Sequence, residues 1–165
     1  MKLLKYFIQF IIISFFFLIC KIIGYKNSSN LGASIVGTIG PLFRSKKTIN
    51  KNLRTAFPEI SDEKINHITK NMWKNYGRIL ADYVFLKHFR RSKFKNYIKF
   101  KDNNILTNIK KNNKPVIFIS GHFNNFELLA MYLEMNGINL AAVYRPLNNI
   151  FLNKTMMNIR SSYIC

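Results

Sequence analysis

The sequence predicts an apolar N-terminal membrane-anchor helix followed by an α/β domain with a partly parallel sheet. Three observations predict it. An unbroken apolar run sits near the start, a helical-period stripe follows Ser61, and two short β-branched runs flank a helical segment near the end. The composition supports a packed chain: 48% of the 165 residues are hydrophobic, which excludes global disorder. Lys and Arg number 26 against 7 Asp and Glu, a formal charge of +19 that points to anionic partners. Any acid/base chemistry must draw on Glu59, Asp62, Glu63, Asp82, Asp102, Glu127 and Glu134. Cys20 and Cys165 exclude a disulfide framework and a Cys-rich zinc site.

The anchor covers residues 1–25. Its uncharged run from Tyr6 to Cys20 is slightly short for a span, but Lys5 and Lys21 can snorkel and extend it to about 20 residues. The run ends in Lys21-Ile-Ile-Gly-Tyr-Lys26, without the small residues of a signal cleavage site. A helix lying in the interface satisfies the same pattern. Lys26, Arg44, Lys46, Lys47 and Lys51 outnumber the near-side Lys2 and Lys5, which argues for a cytoplasmic domain after the anchor.

Residues 26–165 form the second predicted domain. Gly32, Ala33, Ser34, Gly37 and Gly40 let the segment 24–43 pack closely on a neighbour or a membrane surface, and Gly40-Pro41 ends it. Pro58 breaks the next helix and Ser61 caps another, with Asp62 and Glu63 in its first turn. Ile65, Ile68, Met72, Tyr76, Ile79, Tyr83 and Leu86 step by three or four, which predicts one amphipathic helix over 62–88. A short strand over 97–100 and a helix over 103–111 follow. PVIFIS (115–120) and INLAAVYR (138–145) read as buried strands around the helix FELLAMYLEM, a βαβ unit with parallel strands.

Chemistry in such a sheet belongs on the loops after the strands. One loop holds Gly121, His122, Asn124 and Asn125, with Glu127 just beyond; the other holds Tyr144, Arg145 and Pro146. On one continuous helix His122 and Glu127 would stand about 140° apart. With His122 in the loop and Glu127 in the first turn, the carboxylate can orient the imidazole as general base for a hydroxyl nucleophile. The competing reading makes Asn124 an N-cap and Glu127 the reciprocal member of a capping box. Lone His/carboxylate pairs are common, so spacing alone favours capping. Arg145 is held extended by Pro146 and can bind phosphate bidentately, although a surface ion pair is the commoner use of such a residue. The basic, aromatic run 87–101 suits single-stranded nucleic acid or a membrane surface, and the anchor favours the membrane. No P-loop, G-x-G-x-x-G, paired CxxC or H-E-x-x-H is present, so nucleotide and zinc sites lack support.

ISGHFNNFELL followed by VYRPLNN resembles the two best-marked blocks of the bacterial lipid A biosynthesis acyltransferases, the lauroyl and myristoyl transferases of H-x4-D/E type. NLRTAFPEISDEKI, with Asn52-Leu53 and Phe57-Pro58, resembles the block after that family's anchor, and the resemblance covers about 31–165. It implies an α/β acyltransferase domain that moves a fatty acyl chain from acyl carrier protein to a hydroxyl of a lipid A precursor or related glycolipid, without a cofactor. It implies the cytoplasmic face of the inner membrane. His122 becomes the general base and Glu127 its acidic support. Arg145, Asn125, Tyr144 and Arg160 become substrate-binding residues. An acidic carrier protein and a phosphorylated acceptor both suit a charge of +19, and nucleic acid is not an expected partner. The chain departs from the family at Asn124, Asn125 and Phe126, where Gly-Asn-Trp is common, and at Ile150, where a proline often stands. The family continues beyond the equivalent of Cys165, so the expectation is a domain whose C-terminal part is missing. Two other readings compete. One is a non-catalytic, membrane-anchored basic module for anionic lipid or nucleic acid. The other is a sister acyltransferase with another glycolipid or a glycerophosphate as acceptor.

Overall fold

A computed structural model of the chain describes residues 1–91, 98, 104–112, 114–121 and 124–164. Within them the regular structure is helical: α1 (Lys2–Ile23), α2 (Tyr25–Ile39), α3 (Lys46–Ala56), α4 (Asp62–Asp82), α5 (Leu86–Arg90), α6 (Asn104–Asn112), α7 (Glu127–Met135) and α8 (Ile150–Tyr163). The contacts divide the chain into two compact units, one of residues 12–84 and one of residues 1–11 with 85–165.

The expected α/β architecture is not what forms. No strand occurs among the described residues, so the βαβ unit and its partly parallel sheet are absent there. The PVIFIS run is irregular, with Ile117 89% and Ile119 95% exposed, and Val143 in the second run is fully exposed. β-Branched residues favour a pleated surface only when a neighbouring strand completes the ladder, and no described segment lies alongside to do so. Most of the short strand expected at 97–100 lies outside the described residues, and Ile98 is irregular.

α1 is long and apolar enough to cross a membrane, as the anchor reading requires. Its 22 residues reach about 33 Å, close to the hydrocarbon thickness of a bilayer. Leu4, Ile8, Ile12, Phe15, Leu18 and Ile22 are all exposed.

In the unit of residues 12–84 the organising contact is between α2 and α4. The small residues of α2 do allow close packing, and the partner is Gly77 of α4. A Cβ on Gly32 would run into the Gly77 carbonyl, and a Cβ on Gly77 would run into that of Gly32. Ala33 and Ala81 are buried beside this crossing, and Gly40 leaves room for the indole of Trp73. The turn from α1 into α2 passes through Gly24 at φ 78°. Ser28, fully buried, donates its hydroxyl to the carbonyls of Cys20 (2.9 Å) and Gly24 (2.7 Å), which closes that corner. Ser61 caps α4 by accepting from the Lys64 N–H at 3.3 Å. Arg54 spans the preceding turn to Asp62 at 2.7 Å, but both side chains are exposed and such pairs contribute little.

The single helix expected over 62–88 is interrupted. α4 ends at Asp82, a 3-10 turn occupies Tyr83–Phe85, and α5 follows. The buried face of α4 runs through Ile65, Trp73, Gly77 and Ala81, while Tyr76 of the expected stripe is 49% exposed. In the other unit Phe85, Leu86 and Phe89 are buried with Leu106, Met131, Leu133 and Ile164. α5 packs against both α7 and α8. Arg90 joins all three by pairing with Glu134 at 2.6 Å and donating to the Tyr163 carbonyl at 3.3 Å. The Arg90 hydrogen bond holds the Glu134 carboxyl below the usual carboxylate range. A depressed folded-state value favours folding at neutral pH, and that contribution is lost as pH falls through the carboxylate range.

The Gly32–Gly77 crossing yields a test by sign. In an isolated helix Gly→Ala stabilises by about 1 kcal/mol, whereas forcing a methyl group into a closed contact costs about 1–3 kcal/mol. Gly77→Ala should therefore lower the thermal midpoint of the detergent-solubilised protein, and a raised midpoint would contradict the crossing.

Candidate acyl-transfer site

The candidate site lies in the unit of residues 1–11 and 85–165. Helix α7 begins at Glu127, after an irregular segment in which Asn124 takes φ 50°, a conformation that asparagine tolerates. Its C-terminus is closed by Gly137 at φ 76°: the Gly137 N–H donates to Glu134 and the Ile138 N–H to Leu133, a Schellman motif. The sequence foresaw this stop. The capping box it favoured at the other end is overturned. Phe126, not Asn124, occupies the N-cap, and it makes no side-chain cap bond.

Glu127 instead faces Arg160 of α8. Its Oε1 accepts from Arg160 Nε at 2.8 Å and also from the second guanidinium nitrogen. The glutamate side chain is 5% exposed and the arginine 24%. A carboxylate this buried needs a partner charge, and removing the partner from such a pair costs about 3–5 kcal/mol. The first turn of α7 adds a favourable dipole for negative charge.

The other face of the Arg160 guanidinium lies over the Tyr144 ring, 4.6 Å from its centroid. Tyr144 donates its hydroxyl to Asn153 Oδ1 at 2.6 Å, and the same oxygen accepts from the Leu147 N–H at 2.9 Å. Asn153 thus fixes the 144–147 segment to α8. Sequence reasoning missed Asn153. Its signal was the four-residue step from Asn149, which puts two asparagines on one helical face. Asn149 caps α8 by accepting from the N–H groups of Phe151 (3.1 Å) and Leu152 (3.2 Å). Its amide donates to the Tyr6 carbonyl at 2.9 Å and to Gln9 Oε1 at 3.2 Å. Phe151 adds ring contacts to Phe7 and Phe10 at 5.7 and 5.9 Å. The YRPLNN block is therefore tied directly to the first turns of α1.

Of the residues singled out from sequence, Glu127, Tyr144 and Arg160 come together. Arg145 is exposed and has no ion pair among the described residues. Asn125 is partly buried, and its carbonyl accepts from the Leu128 N–H at 3.2 Å. His122 lies outside the described residues. No group of three His, Cys, Asp or Glu side chains converges among the described residues, so no donor set for a metal ion is formed there.

Tyr144→Phe should keep the ring under Arg160 and lose about 1 kcal/mol from the hydroxyl bond to Asn153. Tyr144→Leu should lose more, because the stacking goes too. Equal thermal midpoints for the two variants would show that the ring contributes nothing.

The comparisons with known proteins agree with these blocks. The chain matches the family described as bacterial lipid A biosynthesis acyltransferase over residues 1–163. It is 28% identical over 128 residues to lipid A biosynthesis acyltransferase 2 of Shigella flexneri, which covers 78% of this chain and 40% of that relative. No solved structure matches it significantly. The match thus covers 40% of that relative's length. The H-x4-E, YRPLNN and AFPE blocks, like almost every other residue, fall inside the family match: the chain belongs to the bacterial lipid A biosynthesis acyltransferase family.

Proposed function

We propose that this chain carries the catalytic base and acid of a membrane-anchored O-acyltransferase with a glycolipid acceptor. The observation that supports this most is the Glu127–Arg160–Tyr144 cluster. It gathers the acid of the H-x4-E block, the tyrosine of the YRP block and the arginine beyond it around one buried charge. Such a cluster fixes the start of α7, five residues after His122 in sequence. In this reading the anchor is residues 1–25, the transferase domain follows from 26, and the domain faces the cytoplasm at the inner membrane. The relative's name refers to lipid A biosynthesis, and the same acceptor class is proposed here.

The reaction follows from the residue types. The acceptor is a hydroxyl and needs a base; the donor is a thioester on acyl carrier protein. His122 takes the hydroxyl proton as the oxygen attacks the thioester carbon, and a C–O bond forms. The C–S bond then breaks, and the leaving thiolate takes the proton back from the imidazolium. Glu127 supports the imidazolium from the first turn of α7, with Arg160 holding the carboxylate in place. Arg145, exposed beside the cluster in sequence, is proposed to meet the acceptor's phosphate, with Asn125 and Tyr144 lining the approach. Acyl carrier protein is acidic, and a chain at +19 offers it a favourable field.

The test is acyl transfer by the intact membrane-extracted protein. His122→Ala should lower transfer by about 100-fold or more, the usual contribution of a general base, while the protein stays in the membrane fraction. Full activity would remove the general-base role. Anionic-lipid binding that is indifferent to His122 and falls steeply with salt, with no transfer by the parent protein, would favour the non-catalytic module.

A further inference from the structure

The unit of residues 12–84 holds none of the H-x4-E or YRP residues, yet it contains a cleft. The cleft has a volume of about 330 Å³ and lies where the end of α2, the start of α3 and the middle of α4 meet. Arg44, Lys46 and Lys70 border it, together with Asn66, Thr69 and Trp73. Among the described residues none of the three cations has a carboxylate within ion-pair distance. Three unneutralised cations bordering one concavity give it a positive field that attracts an anion.

A second observation is independent of charge. Trp73 is 9% exposed, and its indole Nε1–H is buried without a hydrogen-bond acceptor among the described residues. The Thr69 hydroxyl is likewise buried and unpartnered. Helical threonines ordinarily bond the carbonyl four residues back, as Thr38, Thr55 and Thr155 do here. Thr69 does not. Buried donors of this kind are rare and call for an acceptor. The cleft is therefore bordered by three cations and by two residues whose buried donors lack a partner, a combination that suits an oxyanion.

We propose that this cleft binds a phosphate group, with Arg44, Lys46 and Lys70 supplying charge and Thr69 and Trp73 supplying neutral hydrogen bonds once the exposed basic side chains turn onto the anion. The same chemistry is offered by a phosphomonoester lipid headgroup and by free phosphate. The inference does not rest on acyl transfer and survives if that reading fails.

Trp73 is the single tryptophan of the 165 residues and reports on the cleft directly. The experiment follows its emission in the full chain, with Trp73→Phe as the blank. One arm titrates phosphatidylcholine nanodiscs with and without phosphatidic acid; the other titrates inorganic phosphate against chloride at equal ionic strength. A saturable change is expected in at least one arm. Saturation only with phosphatidic acid identifies a headgroup site, and saturation with inorganic phosphate identifies a site for the free anion. Arg44→Gln and Lys70→Gln should each weaken the apparent affinity about tenfold, the loss of one charge-assisted hydrogen bond. Thr69→Val should weaken it with no change in charge, whereas Lys110→Gln on α6 should leave it unchanged. No saturable change in either arm, or an equal loss from Lys110→Gln, would overturn the proposal.

Discussion

A buried carboxylate on a helix end cannot stand without a cation, and that constraint organises the unit that carries the family's sequence blocks. Glu127 opens α7 and Arg160 closes the distance from α8. Once that pair is set, the guanidinium offers its face to Tyr144, and Tyr144 in turn takes Asn153. Tyr144 and, through Asn153, Leu147 of the YRPLNN block are thus linked to that pair. The Arg90–Glu134 pair repeats the device nearer the surface, where both partners are about one-third exposed.

The two units use different means of packing. Around Glu127 the contacts are charged and aromatic. In the unit of residues 12–84 they depend on the absence of side chains: Gly32 and Gly77 bring α2 and α4 so close that their backbones touch. That close approach narrows the gap between the helices and leaves the larger Trp73 to sit under Gly40. The cleft proposed for phosphate lies beside Gly37 and Trp73.

Parts of this were legible in sequence because they depend on local rules. Ser61 before two acids reads as a cap and is one; Gly137 after an apolar helix reads as a stop and is one. The small residues of α2 read as a close-packing face, and they form one. What failed depends on partners. The β-branched runs at 115–120 and 138–145 have strand composition, but a strand needs a neighbour, and sequence pattern does not supply it. The stripe over 62–88 placed Tyr76 inward because it counted apolar residues, while the buried face is chosen by Gly77 and Ala81, which a count of large residues overlooks. Glu127 was legible as a candidate, but its pairing with Arg160, 33 residues away, lies beyond any local spacing rule.

The most direct test is a double-mutant cycle on Glu127 and Arg160 in the intact protein, read by thermal and denaturant unfolding. The variants are Glu127→Gln, Arg160→Gln and the pair together. If the two charges depend on each other, the double variant is hardly less stable than the worse single one, with a coupling above about 1 kcal/mol. Losses that simply add would mean that Glu127 is held by something other than Arg160, and the account of the site would have to be rebuilt from that partner.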